Sequence, residues 1–82
     1  MDKEQIKGKV LDVAHEVMPG LNSDVDTEAS LTDGYDVDSV SMIRMLVGIE
    51  KEFGVSYDDS ELALYKYNNF DDVIESVEKK LS

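Results

Sequence analysis

Three stretches of the chain place apolar residues three and four positions apart, the spacing that lines up one face of an α-helix. The first stretch runs from Asp2, a residue type that caps helix N-termini, to Met18, and Pro19 with Gly20 marks its end. Its apolar face consists of Ile6, Val10, Val13, Ala14 and Val17. The pattern predicts a first helix that packs one side against a core.

The second and third stretches carry similar start and stop signals. Asp38 is a suitable N-cap for a helix that runs to Phe53, and Gly54 readily adopts the left-handed conformation that ends a helix. Asn69 is a suitable cap for the last helix, whose final turn carries two lysines that complement the helix dipole. The apolar face of this helix comprises Phe70, Val73, Ile74, Val77 and Leu81.

The segments between these helices lack such a pattern. Residues 20–37 are rich in Asp, Ser, Thr and Gly and predict a long loop, a feature that is usually functional. The segment from Ser60 to Tyr65 predicts one short helix or a few turns. No strand alternation or repeat is present. We therefore expect a single all-α domain over residues 1–82, a bundle of three main helices plus one short helix.

Length and charge narrow the possible functions. The chain has 82 residues and a formal charge of −11, a field that repels nucleic acid and attracts proteins with basic patches. A domain this small has little room for a deep enzymatic cleft, so we expect a protein that is not an enzyme. It has no cysteine, so thiol chemistry would need a cofactor. No apolar run is long enough to span a membrane. We expect a cytoplasmic location and a monomer.

The second predicted helix has two apolar stripes. The stripe expected to face the core contains Met42, Met45, Leu46, Ile49 and Phe53. The second stripe consists of Val40, Ile43 and Val47, with Arg44, Glu50 and Lys51 beside it. Either this helix is sandwiched between two others, or the second stripe is an exposed strip on which partner proteins dock. Gly48 in the helix interior is unfavourable relative to alanine and indicates that another segment packs closely there.

Ser39 lies in the first turn of this helix, directly after the capping Asp38. Unpaired backbone amides and the positive end of the helix dipole favour an anion at this position, so a phosphate ester on the Ser39 hydroxyl would be stabilised. An Asp-Ser pair before an apolar helix is by itself a common capping sequence. Its place after a long acidic loop and before a helix with two apolar stripes makes it more informative.

This arrangement resembles the acyl carrier protein and peptidyl carrier protein family over essentially the whole chain, most specifically from Asp38-Ser39-Val40 to Glu52-Phe53. The resemblance implies that Ser39 receives 4′-phosphopantetheine from coenzyme A and that its thiol carries an acyl or aminoacyl group as a thioester. The implied partners are a phosphopantetheinyl transferase, an acyl-loading enzyme and downstream synthases or transferases. The implied docking residues are Val40, Ile43, Arg44, Val47, Glu50 and Lys51. The implied acyl pocket is bounded by Leu46, Ile49, Leu62 and Tyr65, and its bulky lining suggests short or polar cargo.

Several residues depart from the pattern of fatty-acid carriers. Asp36 stands where these carriers usually have glycine, and Val40 replaces the more common leucine. Arg44 and Lys51 stand on a helix face that is typically acidic. Charges at a docking rim chiefly alter encounter and partner choice, so these departures suggest a specialised lipid, polyketide or related pathway.

Other interpretations start from the same residues. The chain could be a D-alanyl or peptidyl carrier, or a helical protein-interaction module in which Ser39 serves only as a helix cap. Asp24, Asp26 and Glu28 resemble the start of a calcium loop, but Ala29 replaces the required glycine. We therefore expect no metal site, and we expect His15 to be a helix-surface residue.

Overall fold

The computed structural model describes residues 1–82 and contains only helices and loops. Its α-helices are α1 (Lys3–Val17), α2 (Leu31–Tyr35), α3 (Ser39–Phe53) and α4 (Phe70–Leu81). Two 3₁₀ turns, Asp59–Glu61 and Leu64–Lys66, connect α3 to α4. The expected all-α bundle of three main helices and one short helix is confirmed. No helix is both long and apolar enough to cross a membrane.

The ends of the long helices follow from side-chain caps that the sequence displays. The Asp2 carboxylate accepts a hydrogen bond from the Gln5 amide at 2.9 Å, and the Gln5 side chain accepts one from the Asp2 amide at 3.0 Å. The Asn69 side chain accepts from the Asp72 amide at 2.9 Å and starts α4. At the end of α3, Gly54 adopts the left-handed conformation with φ of 67°. These caps satisfy backbone groups that have no partner within the helix.

Of the two outcomes predicted for the segment between α3 and α4, the structure has the few turns, and the short helix lies in the predicted long loop. The segment from Ser60 to Tyr65 forms parts of the two 3₁₀ turns, whereas α2 interrupts the predicted long loop. Ser30 starts α2 by accepting a hydrogen bond from the Asp33 amide at 3.1 Å. Long-range backbone bonds then hold this region, because the Leu31 amide donates to Asn68 at 2.9 Å. Contacts of this kind have no periodic signature in the sequence.

The core lies between the three long helices, with α1 packed against both α3 and α4. All buried side chains belong to hydrophobic or tyrosine residues, and no polar or charged residue is buried. On α3 the buried residues all belong to the first of the two predicted stripes, whose last member, Phe53, is only partly buried. The fully buried members of this stripe are Met42, Met45, Leu46 and Ile49.

Gly48 allows α1 and α3 to approach each other closely, as the sequence predicted. A Cβ atom at Gly48 would lie 2.7 Å from Cγ1 of Val13 in α1. This separation is too short for two carbon atoms, whose optimum is about 3.5–4.0 Å. The absence of a side chain at Gly48 therefore sets the distance between the two helices.

His15 does more than occupy the surface of α1. Its ring is partly buried, with Nδ1 2.7 Å from the Leu11 carbonyl oxygen and Nε2 2.9 Å from the Asn22 carbonyl oxygen. The second contact ties the start of the loop to α1. The apolar pattern does not indicate this contact, because Asn22 lies beyond the predicted helix end.

We expect Gly48→Ala to lower the free energy of unfolding by about 1–3 kcal/mol, the usual range for overpacking a core. Val13 cannot readily turn away, because β-branched side chains have one strongly preferred rotamer in a helix. Gly8→Ala is the matched control, since Gly8 is also inside a helix but has no atom within 4 Å of an added Cβ. It should raise the free energy of unfolding by about 0.5–1 kcal/mol in urea titrations. Equal stabilisation by both substitutions would contradict the proposed contact.

Candidate functional site

Ser39 is the first residue of α3, and its side chain is exposed. The cap of this helix is Asp38, whose carboxylate accepts a hydrogen bond from the Ser41 amide at 2.8 Å. The Asp38 carbonyl also accepts the first bond of the helix ladder, from the Met42 amide at 3.0 Å. Asp38 therefore caps this helix end, and the Ser39 hydroxyl is not needed for capping.

The electrostatic environment of Ser39 combines a negative side chain with a positive helix end. Hydrogen bonds from Ser41, chiefly from its backbone amide and then from its hydroxyl, lower the pKa of Asp38 below its usual value. Asp38 is thus ionised at neutral pH and keeps the cap in place. The remaining first-turn amides and the helix dipole can still stabilise a phosphate group bonded to Ser39.

A surface groove of about 780 Å³ lies beside Ser39. One part of its lining is apolar or aromatic and comes from the second half of the chain: Leu62, Ala63, Leu64, Tyr65 and Tyr67. The other part is polar and comes from the α2 region and from the start of α4: Glu28, Ser30, Thr32, Asn68 and Asn69. The polar residues were not identified from the sequence. Only the general tendency of long loops to be functional pointed towards them.

The structure separates the four residues predicted to bound an acyl pocket. Leu62 and Tyr65 line the groove, whereas Leu46 and Ile49 are fully buried in the core and do not reach it. Tyr65 is also 81% exposed, so it does not bound the bundle interior as expected. The four residues therefore do not enclose one pocket.

The reason lies in the second 3₁₀ turn. Residues three apart share a face in a 3₁₀ helix, so Leu64 and Tyr67 turn inward while Tyr65 turns outward. The buried Tyr67 hydroxyl donates a hydrogen bond to the Glu61 carbonyl oxygen at 3.0 Å. Burial, followed by the nearby Tyr57 and Glu61, raises the pKa of Tyr67 to about 12. Tyr67, not Tyr65, is the tyrosine that packs inward here.

The second stripe of α3 is exposed rather than sandwiched between helices. The exposed fractions are 60% for Val40, 42% for Ile43 and 36% for Val47. We call these three residues the α3 strip. The neighbouring Arg44 and Lys51 are also exposed. The strip is thus available for contact with another protein.

Glu50, which the sequence grouped with the docking residues, has a structural role. It is partly buried, and its carboxylate accepts a hydrogen bond from the Tyr57 amide at 2.7 Å. This bond holds the chain just after α3, where the Val55 amide also donates to the Glu50 carbonyl at 3.2 Å. Glu50 therefore stabilises the turn after α3, and its carboxylate is less available to a partner than the sequence suggested.

Asp36 ends α2 in the left-handed conformation, with φ of 53°. Its amide donates to the Leu31 carbonyl oxygen, which closes the short helix. Glycine adopts this conformation most easily, and Asp tolerates it better than most residues with a side chain. The unusual Asp36 thus has the backbone geometry that a glycine at this position would favour.

Comparison with known proteins identifies the family. The family model described as the phosphopantetheine attachment site matches residues 5–77. An acyl carrier protein of Acidothermus cellulolyticus is 40% identical over 62 residues, which cover 76% of this chain and 74% of that protein. An acyl carrier protein of Thermotoga maritima is 34% identical over 79 residues, which cover 96% of this chain and 95% of that protein. The chain belongs to the acyl carrier protein family.

More specialised members of the acyl carrier protein family also match. The meromycolate extension acyl carrier protein of Mycobacterium tuberculosis is 33% identical over 61 residues, which cover 74% of this chain and 53% of that protein. The family's prosthetic group is 4′-phosphopantetheine. The residues around Ser39 fit it, because an exposed hydroxyl at a helix N-terminus adjoins an open groove. When bound, the arm supplies the thiol that this cysteine-free chain lacks.

We expect the contribution of Asp38 to the free energy of unfolding to depend on pH. Asp38→Asn should remove this dependence, because asparagine caps helices equally well but does not titrate. Folding lowers the pKa of Asp38. Its carboxylate therefore stabilises the fold above the unfolded-state pKa of about 4, and this effect is lost as the pH falls through the lower folded-state value. Urea titrations between about pH 5 and pH 2 should show the wild type losing stability relative to the variant. A difference that stays constant over this range would contradict the assignment.

Proposed function

We propose that Ser39 carries the 4′-phosphopantetheine arm and that the chain presents an acyl or aminoacyl group on it as a thioester. The observation that supports this most directly is that two adjacent residues have different roles at the start of α3. Asp38 caps the helix, while Ser39 remains exposed at the edge of a groove. This also argues against an interaction module in which Ser39 is only a cap.

Attachment of the arm requires an accessible serine hydroxyl. In the proposed step the Ser39 oxygen attacks the pantetheine-linked phosphorus of coenzyme A, forming a phosphodiester bond. The bond between that phosphorus and the bridging pyrophosphate oxygen breaks, and 3′,5′-ADP leaves. The proton of Ser39 passes to a base of the phosphopantetheinyl transferase. This chain contributes the position of the hydroxyl, and the transferase supplies the catalytic groups.

Partner enzymes would dock on the α3 strip, next to the attachment site. The strip offers three exposed apolar side chains, and it begins with Val40, the residue directly after Ser39. Arg44 and Lys51 add positive charge beside it, although the whole chain carries −11. A complementary partner would thus present acidic groups opposite these two residues within a generally basic surface. The proposed partners are the transferase, an acyl-loading enzyme and downstream synthases or transferases.

The charges beside the α3 strip support a specialised lipid, polyketide or related pathway. One mycobacterial relative is named a meromycolate extension acyl carrier protein. The family therefore includes proteins that are named for one dedicated role. A D-alanyl or peptidyl carrier would use the same arm with a different cargo. We further propose that the carrier acts as a cytoplasmic monomer.

Incubation with coenzyme A and a promiscuous phosphopantetheinyl transferase should add one phosphopantetheine to the chain, as measured by intact-protein mass spectrometry. Ser39→Ala should show no gain, because the only acceptor hydroxyl has been removed. Ser41→Ala is the matched control, since it removes a hydroxyl two residues away in the same helical turn. It should be modified like the wild type. No mass gain in the wild type would refute the carrier proposal.

Docking on the α3 strip predicts that Ile43→Ala lowers kcat/KM for modification by the transferase about five- to thirty-fold, equivalent to about 1–2 kcal/mol for an interface anchor. Leu81→Ala removes a similarly exposed aliphatic side chain at the end of α4 and should leave the rate unchanged. Circular dichroism would verify that both variants remain folded. Equal rates for the two variants would refute docking on the α3 strip.

A further inference from the structure

We infer that the phosphopantetheinyl transferase that modifies Ser39 docks in one orientation, which is set by opposite charges at the two ends of its contact with this chain. Basic groups of the transferase face the segment before α3, and carboxylates of the transferase face Arg44 and Lys51. The inference rests on the proposed attachment of the arm to Ser39 and on docking at the α3 strip. It goes further by giving the partner surface two charged regions in a fixed order.

The chain before α3 is acidic without interruption. No lysine or arginine lies between Lys9 and Arg44. The last six carboxylates of this stretch form what we call the acidic segment, and all six residues are exposed: Asp24, Asp26, Glu28, Asp33, Asp36 and Asp38. None of the six takes part in an ion pair. Residues of the acidic segment line two separate grooves at the start of α3, one shared with Ser39 and one with Ser41. The attachment site is therefore next to uncompensated negative charge.

The exposed face of α3 becomes positive further along the helix. Arg44 and Lys51 are both exposed, four and eleven residues after Val40. At about 100° per residue, these spacings bring both residues back to within about 40° of Val40 around the helix axis. They therefore lie beside the α3 strip. With a rise of about 1.5 Å per residue, they are about 8 Å and about 18 Å along the axis from Ser39.

The carboxylates of α3 do not neutralise these two cations. Glu52 pairs instead with Lys9 of α1, with 3.5 Å between the Lys9 Nζ and a carboxylate oxygen. Glu50 binds a backbone amide in the turn after α3. None of the four ion pairs in the structure includes Arg44 or Lys51. Both positive charges therefore remain available to a partner.

The order of these charges gives the docking surface a direction. The aliphatic side chains of the α3 strip do little to orient a partner, because apolar contacts are not directional. Reversing α3 on the transferase would place like charges opposite each other at both ends, which is unfavourable. The charges thus favour the one orientation that directs Ser39 to the transferase active site. They also disfavour enzymes whose docking surface is basic throughout.

The kinetic test of the positive end uses the transferase of the same organism and measures kcat/KM for modification of Ser39. Arg44→Glu should lower kcat/KM about three- to ten-fold at low salt, because an attraction becomes a repulsion. Lys7→Glu is the matched control, since it changes the net charge equally on α1 and Lys7 forms no ion pair. It should change kcat/KM by less than about two-fold. The difference between the variants should vanish at 1 M salt, where charges are screened beyond about 3 Å.

The test of the negative end reverses a charge of the acidic segment. Asp33→Lys should lower kcat/KM about three- to ten-fold at low salt, because it places a cation opposite basic groups of the transferase. Asp12→Lys is the matched control, an equal change of charge at an exposed position of α1. Circular dichroism would verify that all four variants remain folded.

Zero-length carbodiimide cross-linking identifies the groups that face each end of the contact. The reagent joins a carboxylate to a neighbouring amine as an amide, with net loss of one water molecule. In the complex of the wild-type chain with the transferase, Lys51 should be linked to an Asp or Glu of the transferase. The Asp33 carboxylate should be linked to a transferase lysine, and Lys7 should not be linked to the transferase. Mass spectrometry of the digested complex would identify the joined residues.

A rise in kcat/KM for Arg44→Glu would indicate a partner surface that is basic throughout and would overturn this inference alone. So would equal effects of a substitution and its matched control, or the absence of a link from Lys51 to the transferase. Modification of the wild type by a promiscuous transferase but not by that of the same organism would also overturn only this inference. Failure of both transferases to modify the wild type would overturn the proposed function and, with it, this inference.

Discussion

The hydrogen bond from the Ser41 amide to the Asp38 carboxylate caps α3, so the helix begins at Ser39. A helix turns through about 100° per residue, and burial of the apolar face of α3 decides which of its side chains meet the core. With the start at Ser39, the methionines and Leu46 face inward and the α3 strip faces solvent. The same bond leaves the Ser39 hydroxyl free at the surface. The cap thus leaves the attachment site free, and burial of the apolar face turns the docking surface towards solvent.

The close approach at Gly48 then determines how this helix sits on its neighbour. Val13 occupies the space above Gly48, so α1 covers the inner face of α3 without reaching the α3 strip. Because α1 packs on α3 and also on α4, the three long helices form one core. The two smaller connections, around α2 and the 3₁₀ turns, lie near the start of α4 and form the groove. The site is therefore built where the regular part of the fold ends.

The long helices were predictable because their signals are local. Asp2, Asp38 and Asn69 each cap the helix that follows, and the apolar spacing identifies the buried face. The short helix α2 was not predictable, because a five-residue helix has too few turns to show periodicity and is held by a distant bond from Leu31 to Asn68. Helices this short are rarely stable without such tertiary contacts.

The candidate site likewise has a part that could be predicted from the sequence and a part that could not. Ser39 and Asp38 could be identified because they belong to a local motif at a helix start. The groove lining could not, because it combines residues from the α2 region with residues at the start of α4. The sequence does not show that Tyr67 packs inward in place of Tyr65, because this depends on the geometry of the turn Leu64–Lys66. It does not show the structural role of Glu50 either, because the bond of Glu50 to the Tyr57 amide depends on the path of the chain after Gly54.

The departures from the usual carrier pattern that introduce charge lie at exposed positions. Asp36 adopts the left-handed conformation that glycine would adopt, and Arg44 and Lys51 lie on the exposed side of α3, outside the core. None of these residues takes part in the cap that exposes Ser39. Exposed charges contribute little to stability but act on encounter and discrimination between partners. The fold can therefore keep one attachment site while its surface charges select different enzymes.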